Sequence, residues 1–136
     1  IFKEDAGRVE TYLGRSPADR TKMAVVPKEK GRYAATNFEV VRRFSAGYTL
    51  VRFRLETGRT HQIRVHCKHL GHPIVGDPVY GSKKQKFKLN GQLLHACRLE
   101  LTHPKTGERM AFEAPLPAYF SAVLEKLERE ERGCAR

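Results

Sequence analysis

The residues best suited to chemistry lie in one stretch, Arg54 to Gly81. It contains Gly58-Arg59-Thr60-His61-Gln62-Ile63-Arg64-Val65-His66 and then His72-Pro73-Ile74-Val75-Gly76-Asp77-Pro78-Val79-Tyr80-Gly81. Arg59, His61, Gln62, Arg64 and His66 supply hydrogen-bond donors and positive charge. A guanidinium stays charged and can hold a carboxylate or phosphate through two parallel N–H bonds. Donors at the start of a helix, with Arg59 adjacent, suit a phosphate. Taken singly, Arg64 also reads as a surface arginine on a helix, and Ile63 reads as a core residue.

The elements around this stretch must hold it in place. A strand ends at Thr57, and Gly58 makes the turn. Thr60 is the expected N-cap, since its hydroxyl can accept from a free N–H of the first helical turn. The helix then runs to Leu70, with Gly71 in the left-handed conformation just past its end. Ile63, Cys67 and Leu70 are expected on a buried face, and His61, Arg64 and Lys68 on a cationic one.

Upstream, residues 1–7 are expected to fray. Short strands are expected at Val9 to Leu13 and Lys22 to Val26, with a turn at Arg15 to Arg20. Ala34 to Phe44 and Tyr48 to Glu56 read as a hairpin turning at Gly47. Val51, Phe53 and Leu55 alternate with Arg52, Arg54 and Glu56, predicting one buried face and one solvent face that is mostly cationic. Phe38, Phe44 and Phe53 are expected in the core.

Downstream, Asp77 before Pro78 suits a turn whose backbone N–H groups its side chain can accept. Ser82 to Gly91 is a lysine-rich loop. Leu93 to Thr102 and Met110 to Glu113 are expected to form a second hairpin across a turn at His103 to Gly107. From Pro117 an amphipathic helix presents Tyr119, Phe120, Val123, Leu124 and Leu127, then passes into a charged tail. The sum is an α+β fold: a mixed, mostly antiparallel β-sheet with flanking helices.

The 136 residues fit one domain. A formal net charge of +11 points to a polyanionic partner, with nucleic acid the commonest. Cys67, Cys97 and Cys134 form no Cys-x-x-Cys pair, so reduced thiols and a cytoplasmic location are expected. There is no apolar run of the roughly 20 residues that a membrane span needs, and residues 1–20 lack the pattern of a signal peptide. His61, His66, His69, His72, His95 and His103 lack zinc-ligand spacing. No Gly-x-Ser-x-Gly nucleophile motif occurs.

The Gly-Arg-Thr-His-Gln-Ile-Arg-Val-His core, followed by His-Pro-Ile-Val-Gly-Asp-Pro-Val-Tyr-Gly, resembles motif III of the RluA family of pseudouridine synthases. The nearest likeness is to its ribosomal large-subunit members of the D type, and it extends over about residues 8–120. The resemblance implies a catalytic domain that isomerises specific uridines in ribosomal or transfer RNA, as a monomer, with no metal or organic cofactor. The C1′–N1 bond is broken and a bond to C5 formed, on a nucleotide flipped from its stack.

It implies that Arg64 pairs with the catalytic aspartate, that Ile63 and Leu94 line the base pocket, and that Arg59, His61, Gln62 and His66 stand at the RNA-facing rim. The family's Arg-Leu-Asp segment and its upstream tyrosine have no counterpart here, and Asp77 matches a turn aspartate. The chain, which opens on Ile1, is therefore expected to be the C-terminal part of the catalytic domain, inactive alone. The alternative is a basic RNA-binding module without catalysis.

Overall fold

A computed structural model describes residues 4–81, 89, 91–102 and 105–134. The main sheet contains β1 (Ala6–Arg15), β2 (Met23–Val25), β3 (Arg32–Arg43) and β4 (Thr49–Leu55), in the order β2-β1-β3-β4. All its pairings are antiparallel. A helix α1 (Gln62–His69) follows, then a separate two-stranded sheet of β5 (Arg98–Thr102) and β6 (Arg109–Glu113), and finally α2 (Ala118–Cys134). The α+β, largely antiparallel expectation is met.

The hairpin forms where its alternation predicted, and Gly47 turns it with φ 92°. β1 is longer than expected, because β3 offers it a continuous partner from Ala6↔Glu39 to Leu13↔Arg32. Ala6 and Gly7, expected to fray, are therefore paired. β5 is shorter than expected. Leu93 N–H donates to Val75 O (2.8 Å) instead of to a strand, and Leu93 packs with α2 while Leu94 faces elsewhere. The lysines of 83–88 and the residues opening the 103–107 turn lie outside the described residues, as do the side chains of β5.

One sheet face carries the core. Val9 and Phe38 pack with Val40, Val51, Phe53 and Leu70. Leu13 and Ala34 pack with Val65, Tyr80 and Met23. Phe44 packs with Val123 and Leu127 of α2, where an Arg42–Glu128 ion pair (2.8 Å) also joins strand to helix. Phe120 is buried too, but Tyr119 is 53% exposed. Tyr119 thus lies off the buried stripe to which the sequence assigned it.

The opposite face carries Arg8, Arg52 and Arg54, but Glu10, Glu39 and Glu56 stand among them, with Glu39 directly across from Arg52. Arg8 pairs with both Glu10 and Glu56. The hydrogen bond from Arg8, with one from Asn37, holds the Glu56 carboxyl at about 2. The face expected to be mostly cationic is therefore close to neutral.

Candidate functional site

The helix start differs from the sequence expectation. Thr60 is exposed, and His61 takes the N-cap position in the left-handed region (φ 55°, ψ 23°) with no side-chain cap bond. Gln62 does the capping work from inside the helix: its Oε1 accepts from Arg59 N–H (2.9 Å) and from the Thr57 hydroxyl (2.7 Å). Its Nε2 donates to Ala35 O (3.0 Å) and Thr36 Oγ1 (2.9 Å). A glutamine amide has two donors and an oxygen with two lone pairs, so all of its capacity is used.

This network continues further in. Thr36 Oγ1 accepts from Gln62, so its hydroxyl proton is free to donate to His66 Nδ1 (2.8 Å). On the other side of the ring, His66 Nε2 lies 2.7 Å from Thr11 Oγ1. His66 is 1% exposed, and burial lowers its pKa to about 4, with a smaller contribution from His69. Both ring nitrogens are satisfied in the neutral form. His66, expected at the RNA-facing rim, is instead a buried strut between α1, β1 and β3.

α1 therefore buries Gln62, Val65, His66 and Cys67; of the expected stripe Cys67 is buried and Leu70 packs on the core, while Ile63 faces the cleft. Polar side chains turn inward because threonines on the sheet complete their hydrogen bonds. Burial pushes the Cys67 thiol up to about 12, with a smaller contribution from the Asp77 charge, and keeps it unreactive.

Arg64 lies 11% exposed against Asp77, whose side chain is fully buried. The pair is bidentate: Nε to Oδ2 at 2.9 Å and Nη2 to Oδ1 at 2.8 Å. Oδ1 also accepts from the N–H groups of Val79 and Tyr80, each at 3.0 Å. Burial opposes ionisation of Asp77, but the Arg64 hydrogen bond and the two backbone bonds prevail and hold its carboxyl below the usual range. The guanidinium lies 5.1 Å from the centre of the Tyr80 ring, within reach of a cation–π contact.

The glycines flanking this turn are required by space. A Cβ on Gly81 would lie 2.4 Å from Asp77 O, and one on Gly76 (φ 76°) would lie 2.5 Å from Gly91 O. Asp77 is thus the turn aspartate that the sequence suggested. It is also a counter-charge to Arg64 within this chain, a pairing that the sequence did not suggest.

Arg59, His61, Gln62, Ile63, Arg64 and Leu94 line one cleft of about 170 Å³ together with Leu55. Six of the seven residues singled out from the sequence thus converge; His66 lies beneath them. Gln62 contributes wall but no free donor. Leu55 was read as core and is 47% exposed at the cleft. Its lining combines apolar side chains (Leu55, Ile63, Leu94) with Arg59, His61 and Arg64. Such a cleft can hold a flat, polar-edged ring beside an anionic group.

Residues 1–69 match the family model described as RNA pseudouridylate synthase. The chain belongs to the RNA pseudouridylate synthase family. Among relatives of this RNA pseudouridylate synthase chain, an uncharacterized RNA pseudouridine synthase of Chloroflexus aurantiacus is 49% identical over 124 residues, 91% of this chain and 38% of that protein. Ribosomal large subunit pseudouridine synthase D of Nitrosomonas europaea is 45% identical over 131 residues, 91% of this chain and 37% of that protein. The structure of human RNA pseudouridylate synthase domain containing 1 superposes with a TM-score of 0.71 at 25% identity, covering 94% of this chain and 61% of that one. The chain thus spans about two-fifths of the length of these two relatives.

Several residues that shape the site had been given no role from the sequence. Thr11, Thr36 and Thr57 alternate with apolar strand residues and offered no sign that they complete a helix's polar face. Tyr80 stood in a quoted motif without a role. Among the described residues, no group of three or more potential metal ligands clusters, and no helix is long and apolar enough to cross a membrane.

Proposed function

We propose that the protein carrying this chain isomerises uridine to pseudouridine in RNA, with ribosomal RNA as the substrate. The observation that carries this reading is the convergence of Arg59, His61 and Arg64 with Leu55, Ile63 and Leu94 in one cleft, in a chain of this family. The apolar side chains take the faces of a flipped base, and the basic ones take its polar edge and backbone. Arg64, held through Nε and Nη2, donates from Nη1 to no described residue. That edge is left for the catalytic carboxylate, which stays ionised beside a guanidinium. The names of relatives such as the Nitrosomonas enzyme support ribosomal RNA over transfer RNA. We place the protein in the cytoplasm as a monomer, in keeping with its free cysteines, Cys67 and Cys97.

Release of tritium from C5-labelled uridine in RNA tests the reading on the full-length protein. Arg64→Lys keeps a charge against Asp77 but loses the fork, and turnover should fall roughly 100-fold. Near-normal turnover removes Arg64 from the site.

A second reading, RNA binding without catalysis, applies to these 136 residues taken alone. Asp77 is committed to Arg64, Asp5 is paired with Arg43 at the surface, and Asp19 accepts from Thr21 in an exposed loop. None of the three offers a free carboxylate to the cleft, so the isolated chain should bind RNA and release no tritium.

A further inference from the structure

His61 enters the cleft from an unusual backbone position, and the reason lies in Tyr80. His61 is the one described non-glycine residue with positive φ, a conformation that costs of order 1 kcal/mol and persists only where its surroundings impose it. Its Nδ1 lies 2.8 Å from the Tyr80 hydroxyl, and the two rings meet edge to face. Tyr80 is 4% exposed, and its oxygen also receives the Met23 N–H at 2.9 Å.

These contacts decide the direction of every proton. Met23 N–H can only donate, so the tyrosine oxygen accepts there. If His61 Nδ1–H also donated to that oxygen, the buried tyrosine O–H would have no acceptor among the described residues, at a cost of about 1–3 kcal/mol. The arrangement that satisfies all three groups has the Tyr80 O–H donating to Nδ1. Neutral His61 then bears its proton on Nε2, on the far side of the ring, where no described residue accepts it.

We propose that Tyr80 locks the His61 ring with Nε2–H as the donor facing the cleft, and that this donor reads the C4 carbonyl oxygen of the target base. The inference rests on the pseudouridine synthase reading and adds a specificity element to it. Uracil presents a carbonyl oxygen at both C2 and C4, whereas cytosine replaces the second with an amino group. A fixed donor at that edge accepts uracil and leaves two donors opposed with cytosine. A histidine free to change tautomer would accept either base. Asp77 and Tyr80 belong to one turn, so the same turn aims the guanidinium and the imidazole.

The test uses full-length protein. Nitrogen-15 shifts of labelled histidine, with His61 assigned by its absence in His61→Phe, should show the Nε2–H tautomer in the wild type and a mixture in Tyr80→Phe. An Nδ1–H wild-type signal overturns the proposal. The base contact is read with RNA carrying 2-thiouridine or 4-thiouridine at the target, since sulfur accepts a hydrogen bond poorly. The 4-thio substitution should raise KM about 3- to 10-fold in the wild type and have no effect in His61→Phe, whereas an effect of the 2-thio substitution alone would overturn the specificity role. His61→Gln, which keeps an N–H donor of similar reach, should retain the sensitivity. Equal thio penalties in wild type and His61→Phe overturn the base contact. Absence of pseudouridine formation by the wild type would instead remove the enzymatic reading, while the tautomer measurement would still stand or fall by itself.

Discussion

Asp77 has no exposed side-chain surface and accepts from four donors, two on Arg64 and two on the backbone of its own turn. Breaking a buried pair by removing one partner strands the other charge, at a cost of roughly 3–5 kcal/mol. Asp77→Ala should therefore lower unfolding free energy by about that amount in urea denaturation. Arg64→Ala should do so too, although the position alone suggested that the fold would tolerate it. The folded Asp77 pKa is depressed, so its contribution is present above the normal carboxylate range and lost on acidification below it.

His66 acts in the same direction, in a higher pH window. Its folded pKa lies at about 4 against 6.5, so the unfolded chain binds a proton that the native state refuses. Stability should fall by on the order of 3 kcal/mol as pH drops from 6.5 towards 4. His66→Gln should flatten that slope, and an unchanged pH dependence would show that His66 does not titrate with unfolding. Arg64 could be singled out because its motif was quoted whole. Its pairing with Asp77, 13 positions away, could not, since a turn aspartate and a buried counter-ion look the same in one dimension.

At the level of elements, α1 is held less by its intrinsic preference than by the loop that precedes it. Eight residues are too few for a helix to be stable alone, and its apolar contacts are modest. Thr57 accepts from Ala35 N–H (3.1 Å) and donates to Gln62, so it ties β3 to the first turn of α1. Thr57→Val keeps the shape and removes both bonds. It should cost about 1–3 kcal/mol, with Thr57→Ser closer to wild type; equal stability in chemical denaturation would rule the tie unimportant. The hairpin was legible because strict alternation has one solution in a half-buried sheet. The buried face of α1 was not, because helical spacing alone ranks Ile63 above Gln62 and His66. The threonine partners that make burial of the latter two favourable come from distant strands.

For the whole molecule, the excess of positive charge is spread unevenly. The outer sheet face sets three glutamates among three arginines, whereas the cleft gathers Arg59, His61 and Arg64 without a free carboxylate. RNA affinity should fall steeply with salt, because each neutralised phosphate releases counterions. Arg59→Ala should weaken binding and reduce the log–log salt slope by about one. Arg54→Ala, on the neutralised face, should leave the slope unchanged. Equal effects of the two substitutions, measured by salt titration with structured RNA, would place the interface elsewhere.

Sequence by itself determined the family, the antiparallel hairpin, the turn glycines and the residues that meet in the cleft. These follow from period, from backbone conformations that only glycine adopts readily, and from a long shared motif. Tertiary structure alone decided which of those residues keep a free hydrogen bond. Gln62 and His66 spend theirs on threonines of the sheet, Arg64 shares its guanidinium with Asp77, and His61 retains Nε2–H. Such allocation depends on donors and acceptors brought within about 3 Å by folding, and spacing along the chain carries no record of it.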